Sequence, residues 1–406
     1  MGIIRTVTSV IRFKKPVFSR QKRRLSKAAN IADLRLIAKR RLPGGIFDYF
    51  DGAADDEVTY LRNSSDFDRV EFRPRVLVDV SHIDTTASIL GNIYDMPVIL
   101  GPTGFTRIAT SQGELAVVRA AERLNLPYTL STLATRSIEE VGSASNATKW
   151  FQVYVWRDRG IVKSMLDRAR DAGFSAIMLT VDTAILGRRE RDVRRGFTLP
   201  PKIGIDTIID GIRHPRWTWD FLTHEPITFA NVAAHADKDG GTAVSLSQYI
   251  NDQMDPSVSW DDIAWLRANW NGPIIIKGIQ RTEDAALACE HGIDAISISN
   301  HGGRQLDHAP SSVSILPEIA DTVAGRSFII CDGGVRRGAD VLKALALGAN
   351  ACSVGRAYLY GLGAAGEPGV DLAIGMLRDE LRRAMALAGV RSLKEIDRSL
   401  VTWRTP

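Results

Sequence analysis

The sequence predicts a (β/α)8 barrel, on three observations. Eight short apolar runs of strand length recur along the chain, helical patterns separate most of them, and every run ends in polar or glycine residues. Parallel strands buried on both faces read as continuous apolar runs rather than alternating ones. Strands alternating with helices give either a closed barrel or an open doubly wound sheet. The polar ends decide for closure, because barrel strands converge their C-terminal ends on one face, where barrel active sites lie.

In chain order the runs are Val98–Gly101, Tyr128–Leu130, Trp150–Val155, Ala176–Val181, Ile274–Ile276, Ala295–Ile298, Phe328–Cys331 and Ala351–Val354. Pro102-Thr103-Gly104 follows the first and Ser131-Thr132 the second, while the third carries Gln152 and Tyr154. The fourth ends in Thr180-Val181-Asp182, the fifth in Lys277-Gly278 and the sixth in Ser299-Asn300-His301. Asp332-Gly333-Gly334-Val335-Arg336 closes the seventh and Gly355-Arg356 the eighth. Apolar residues at three- and four-residue spacing predict helices over Gly113–Leu124, Ile161–Ala172, Trp260–Asn269, Thr282–Glu290, Val313–Val323 and Gly338–Leu347. The last two strand ends predict a phosphate site, since barrels bind phosphate with those loops and a helix N-terminus. Glycines there let backbone N–H groups approach, and Arg336 and Arg356 add charge.

Two segments exceed a minimal barrel. Residues 183–273 span about ninety positions where one βα unit needs roughly thirty. Within them His214-Pro215-Arg216-Trp217-Thr218-Trp219-Asp220-Phe221-Leu222 sets aromatics beside bases, which suits an active-site lid, a membrane-touching patch or a subunit contact. The N-terminus is the other. Residues 1–41 hold thirteen Lys or Arg and the single acid Asp33, a net of +12, so the remainder of a chain whose total is +5 carries −7. We divide the chain into a basic arm, residues 1–30, and a catalytic domain, residues 31–406. The arm suits contact with an anionic surface, packing on a neighbouring subunit, a transit peptide or a lipidated start at Gly2. The acidic body excludes nucleic acid as the main partner.

Cys289, Cys331 and Cys352 are odd in number, lie in apolar segments and fit no zinc spacing, so they read as core residues of a reducing compartment and no metal is expected. No stretch of 18 apolar residues occurs, so no helix is expected to span a membrane. The expected location is the cytoplasm, or its membrane face, with the mitochondrion the alternative if the arm is a transit peptide. Gly361-Leu362-Gly363-Ala364-Ala365-Gly366 matches G-x-G-x-x-G, but no strand immediately precedes it; it reads as a small-residue helix rather than a dinucleotide site.

The most specific signal is Ser299-Asn300-His301-Gly302-Gly303-Arg304-Gln305-Leu306-Asp307. An imidazole and a guanidinium sit three residues apart just past a strand. The first takes a proton near neutral pH, and the second holds a carboxylate through two parallel hydrogen bonds. Together they point to chemistry on a small acid. The bland alternative is a Gly-rich turn with incidental polar residues.

These strand ends resemble the FMN-dependent α-hydroxy acid dehydrogenases and oxidases over roughly residues 31–406. The 299–305 run is similar to that family's active-site signature, and Leu42-Pro43 to Ala53 to its N-terminal substrate-binding region. The resemblance implies FMN as cofactor and a 2-hydroxy acid as substrate. His301 would be the base, Asp182 its acid partner and Lys277 the cation by the flavin N1 and C2 carbonyl, where negative charge builds on reduction. Arg304 and Arg189 would meet the substrate carboxylate, with Tyr49 and Tyr154 bonding the substrate. Pro102, Thr103, Gly104, Ser131, Gln152, Thr180 and Ser299 would line the flavin. Asp332, Gly333, Gly334, Val335, Arg336, Gly355 and Arg356 would hold its ribityl chain and phosphate. The two electrons would leave as a hydride or after removal of the α-proton.

The long loop looks closest to bacterial L-lactate dehydrogenases, and Leu133 replaces a Trp of the plant glycolate oxidases, leaving room for a substrate side chain. The expectation is an L-lactate dehydrogenase, homotetrameric, passing electrons to a quinone or cytochrome. The alternatives are a mandelate-type dehydrogenase, an O2-reducing oxidase and, outside the class, a non-redox FMN isomerase.

Overall fold

The computed structural model describes residues 19–195, 204–232 and 252–404. Eight strands close into a barrel: β1 Val98–Leu100, β2 Tyr128–Ser131, β3 Lys149–Val153, β4 Ala176–Thr180, β5 Ile274–Ile279, β6 Ala295–Ser299, β7 Phe328–Asp332 and β8 Ala351–Val354. All pairs are parallel, and β8 returns to β1 through Cys352↔Val98, Ser353↔Ile99 and Val354↔Leu100. Most strand residues are wholly buried, which is why these segments carry no polar alternation.

Every predicted strand is present, most with an end shifted by one residue. Two C-terminal bounds differ by more. β3 stops at Val153, so Tyr154 stands beyond the ladder, and β5 continues to Ile279 past a bulge after Lys277. Gly278 makes that bulge possible: its φ is +116°, and a Cβ there would stand 2.9 Å from the Asp182 side chain.

The six predicted helices form as Glu114–Arg123, Arg159–Asp171, Asp262–Asn269, Thr282–Glu290, Ser312–Val323 and Gly338–Ala346. Asp158 and Ser311 cap two of them by accepting backbone N–H groups of the first turn. A short helix, Ile138–Ser143, was not expected between β2 and β3; it starts on a Ser137/Glu140 capping box. After β8 come Arg356–Ala365 and Glu367–Ala388, which pack on each other. The Gly361–Gly366 stretch falls in the first and its cap, where Gly361 meets Gly369 and Gly363 meets Ala38 and Leu42. It is a small-residue helix, as read, and its glycines pack closely on neighbouring segments.

Before the barrel lie the helices Arg20–Leu25, Ile31–Arg41, Gly44–Asp51 and Val58–Asp68. Arg20–Leu25 rests on the end of Arg356–Ala365, where Gln21 and Arg24 donate to the carbonyls of Ala365 and Ala364. Strands Val70–Phe72 and Val401–Trp403 pair antiparallel and tie the two ends of the domain together. The insertion after β4 contributes the helices Glu190–Arg194, Ile205–Arg213 and Pro215–Thr223; its residues 196–203 and 233–251 lie outside the described residues, as do residues 1–18 of the arm. Among the described residues no helix is long and apolar enough to cross a membrane.

Candidate active site

The C-terminal ends of the strands open into a cleft of about 1220 Å³. All the predicted site residues line it except Asp182 and Ser299, which touch lining residues from behind.

His301 follows β6 in a left-handed backbone conformation, φ +56°, and Gly302 and Gly303 continue it at +65° and +75°. This conformation costs a non-glycine residue about 1–3 kcal/mol, and local bonds hold it. The His301 N–H donates to Ser299 Oγ at 3.0 Å and the Gly303 N–H to the Asn300 side chain at 3.2 Å. Side chains cannot replace the glycines, because a Cβ would meet Arg356 Nη1 at 2.6 Å from Gly302 and Tyr60 N at 2.7 Å from Gly303. The turn presents the imidazole to the cleft and sets Nδ1 3.0 Å from Asp182 Oδ1. Burial works to raise the Asp182 carboxyl, but the charge and hydrogen bond of His301, with Lys277 beyond, outweigh it and hold it below its ordinary range. An ionised carboxylate only accepts, so Nδ1 carries a hydrogen in either charge state, and in the neutral imidazole Nε2 is the free acceptor. Gln305 steadies the segment behind Asp182, donating to the carbonyls of Asp182 at 3.0 Å and Ile185 at 2.9 Å.

Lys277 leaves β5 wholly buried. Its Nζ is 3.0 Å from Asp332 Oδ2 and donates to Ser299 Oγ at 2.9 Å, and Ser299 Oγ donates on to Asp332 at 2.7 Å. Burial alone would lower this ammonium; Asp332 and Asp182 overcome it and raise it. Asp332 is correspondingly held down by Lys277 and Ser299 against its own burial. The site therefore keeps a fixed positive charge at the β5 end.

Arg304 and Arg356 are aimed by one helix end. The last carbonyls of an α-helix lack intrahelical partners and carry the negative end of its dipole. In Gly44–Asp51 that end receives both guanidinium groups. Arg304 Nη1 donates to Tyr49 O at 2.7 Å and Gly52 O at 2.9 Å. Arg356 donates to Phe50 O, Gly52 O and Gly302 O at 3.0, 2.7 and 2.7 Å. The helix is pinned by Asp51, whose buried carboxylate accepts from Arg35 at 2.5 and 2.6 Å, Arg191 at 2.9 Å and Tyr360 at 2.7 Å. Arg304 and Arg189 lie over the Tyr49 ring at 5.2 and 5.5 Å. Arg189 is paired with Asp192 at 2.7 Å. Burial pushes Arg304 down to about 9, with Arg189 and Arg356 adding to the effect; at neutral pH it remains a cation. Tyr154 is pushed up by burial, then by Asp182 and Tyr49, so its hydroxyl stays a donor.

The opposite wall comes from β1 to β4. Pro102, Thr103 and Gly104 form the β1 end, with Thr103 Oγ1 2.6 Å from the Tyr358 hydroxyl. Gln152 spans three strands: Oε1 accepts from Ser131 Oγ at 3.1 Å, and Nε2 donates to Thr180 Oγ1 at 3.0 Å. At the far end stand Gly333, Gly334, Val335 and Arg336 after β7 and Gly355 after β8.

Sequence reasoning missed several lining or supporting groups. Thr183, Leu186 and Gln305 also line the cleft, and Tyr358 and Asp51 support it. Gln305 stood within the quoted motif and Thr183 next to Asp182, but Asp51 and Tyr358 gave no local signal.

The residues fit a flavin mononucleotide. Among the described residues the half-buried Arg304 and Arg336 and the buried Arg356 line the cleft and make no ion pair within 4.0 Å. The cleft thus offers cations for a carboxylate and a phosphate, a row of hydrogen-bonding side chains between, and a lysine where a ring would take up negative charge.

A family model described as FMN-dependent dehydrogenase matches residues 38–403. A putative L-lactate dehydrogenase of Mycobacterium tuberculosis is 43% identical over 400 residues, 98% of this chain and 95% of that protein. Glycolate oxidase of Spinacia oleracea is 42% identical over 379 residues, 93% of this chain and 97% of that one. Among solved structures, the monotopic membrane protein (S)-mandelate dehydrogenase superposes with a TM-score of 0.89 at 36% identity, covering 92% of this chain and 99% of that chain. This chain belongs to the FMN-dependent dehydrogenase family, the flavoenzymes that oxidise 2-hydroxy acids.

Proposed function

We propose that the protein oxidises L-lactate to pyruvate. The observation that carries this reading is the convergence of His301, backed by Asp182, and Arg304, aimed by the Gly44–Asp51 carbonyls, on one cleft. Arg304 takes the substrate carboxylate, with Arg189 beside it over the Tyr49 ring. The Tyr154 hydroxyl and Tyr49 fix the substrate's polar end. His301 Nε2 removes a proton from the substrate, and Asp182 balances the imidazolium so formed. FMN, when bound, takes up the two electrons that leave the α-carbon. Pro102, Thr103, Gly104, Ser131, Gln152, Thr180 and Ser299 cradle its ring; Asp332, Gly333, Gly334, Val335, Arg336, Gly355 and Arg356 hold its chain and phosphate. Lys277 would supply positive charge where the flavin takes up electrons.

Leu133 lines the substrate end and leaves room for a side chain, which favours lactate over glycolate. Mandelate is the second reading, supported by the TM-score of 0.89 to (S)-mandelate dehydrogenase. In our reading a quinone or cytochrome takes the electrons at the cytoplasmic face of a membrane, and the chain assembles as a homotetramer. The test is anaerobic bleaching of the yellow protein by L-lactate, glycolate and (S)-mandelate, followed by reoxidation with quinone or O2. Fastest bleaching by L-lactate supports the reading, and bleaching by mandelate alone replaces it. Peroxide formed in step with substrate makes the enzyme an oxidase. A protein that takes up no FMN ends the proposal.

A further inference from the structure

Asp307 ends the 299–307 run, yet it does not line the catalytic cleft. Its carboxylate accepts the N–H groups of Thr59 at 2.7 Å and Val58 at 3.2 Å. It caps helix Val58–Asp68 from outside, because Glu57, at that helix's own N-cap, makes no side-chain cap. The stretch that follows continues round the same helix. Thr59 Oγ1 donates to Ala309 O at 3.2 Å, and Ser311 Oγ donates to Asp66 at 2.6 Å. The chain after β6 is therefore folded round a helix that precedes the barrel.

Asn63 is where this helix reaches the His301 turn. Asn63 and Asn300 are each 2% exposed, and neither lines the cleft. Their amides bond each other in both directions, Asn63 Nδ2 to Asn300 Oδ1 and Asn300 Nδ2 to Asn63 Oδ1, each at 2.8 Å. Asn300 Nδ2 also donates to Pro310 O at 2.9 Å, and Asn300 Oδ1 accepts the Gly303 N–H at 3.2 Å. Asn63 thus orients the amide that bridges the turn from the residue before His301 to Gly303. The turn needs such a hold, because His301 sits at φ +56°, where a residue with a side chain is strained. Without Asn63, the Asn300 amide would be left buried with one donor and one acceptor bond missing. Arg304 is held differently, by the Tyr49 and Gly52 carbonyls at the end of Gly44–Asp51.

We infer that Asn63 is a positioning residue for the proposed base. Acting through Asn300, it keeps the left-handed turn that aims the His301 imidazole into the cleft, and it has no part in the carboxylate grip. The inference rests on the reading of His301 as the base.

The experiment uses the full-length holoenzyme and the best acid of the panel under anaerobic conditions. Asn63→Ala should slow flavin bleaching at saturating acid by roughly ten- to a hundredfold, the share of competent turns lost when the strain is no longer opposed. The acid concentration that gives half the maximal rate should be unchanged, as should FMN content. Because Asn63 acts through Asn300, Asn63→Ala combined with Asn300→Ala should be as slow as Asn300→Ala alone, to within about twofold. Amide hydrogen exchange across residues 300–304 should quicken in Asn63→Ala. Should an alanine variant lose FMN, serine at the same position replaces it under the same criteria. Bleaching of Asn63→Ala at the parent rate overturns the inference. So do losses that multiply in the double variant, or a loss confined to the half-saturating concentration. His301→Asn, measured beside them, separates the two readings. A slow His301→Asn with an unchanged Asn63→Ala ends this inference alone, whereas His301→Asn bleaching at the parent rate ends the base assignment and this inference with it.

Discussion

Replacing Asp182 by Asn tests the pairing on which the proposed base, His301, depends. When His301 Nε2 takes a proton, the new charge sits against a buried carboxylate, Nδ1 to Oδ1 being 3.0 Å. With charge centres near 4 Å and an effective dielectric near 20, the attraction is about 4 kcal/mol. Asn keeps the shape and a hydrogen bond worth about 1 kcal/mol, so about 3 kcal/mol is lost, roughly two orders of magnitude in rate. The amide can also offer an N–H to Nδ1, which would shift the imidazole hydrogen to Nε2 and block proton acceptance. We therefore expect the anaerobic rate of flavin bleaching to fall by about 10²- to 10³-fold, with FMN content and flavin spectrum unchanged. An Asn variant bleached within fivefold of the parent, at full FMN occupancy, would refute both the base assignment and the electrostatics.

Arg304→Lys keeps a charge but loses the planar fork, so substrate KM should rise by about one to two orders of magnitude in steady-state assays while kcat changes less. Lys277→Met strands the Asp332 carboxylate, 3.0 Å from the lost ammonium, and should cost about 3 kcal/mol or more in denaturant unfolding of the apoprotein. Asp51→Asn weakens the pin on the helix end that aims Arg304, so KM should rise although the residue touches no substrate; unchanged KM would show that the carbonyls hold without it. Asp51, Asp182 and Asp332 are all held below the ordinary carboxylate range. Each therefore releases its proton more readily folded than unfolded. Their stabilisation is complete above about pH 4 and is lost as pH falls through the lowered values, so melting temperatures should fall steeply in that acid window.

The barrel was legible because its strands are largely buried on both faces and so are mostly apolar, a pattern that local sequence records. The polar ends were legible for the same reason, being the first residues released from that constraint. Helix Ile138–Ser143 was missed although its Ser137-x-x-Glu140 box was present, because six residues carry too few turns for periodicity to register. The positions of Tyr154 beyond β3 and of Gly278 in a bulge depend on how β4 and β5 pack around Asp182, which spacing does not encode. Asp51 shows the limit best. Its partners Arg35, Arg191 and Tyr360 lie 16, 140 and 309 positions away, and nothing near it in the chain distinguishes it from a surface acid.

That long-range pin changes what the 299–305 motif explains. His301 and Arg304 lie three residues apart in sequence but are oriented by different parts of the molecule. His301 is set by the barrel itself, through Ser299 of β6 and Asp182 after β4. Arg304 is set from outside it, by the Tyr49 and Gly52 carbonyls of a helix that precedes the first barrel strand. Arg191 of the insertion and Arg35 of the N-terminal helix meet on Asp51 in that same helix, with Glu57 also bonded to Arg191. In the proposed reaction, proton removal is thus built on the barrel strands, while the carboxylate grip hangs on three segments added to the barrel. A change in the insertion that never reaches the cleft would act first on substrate affinity and leave the base in place, whereas a change in the strands would do the reverse.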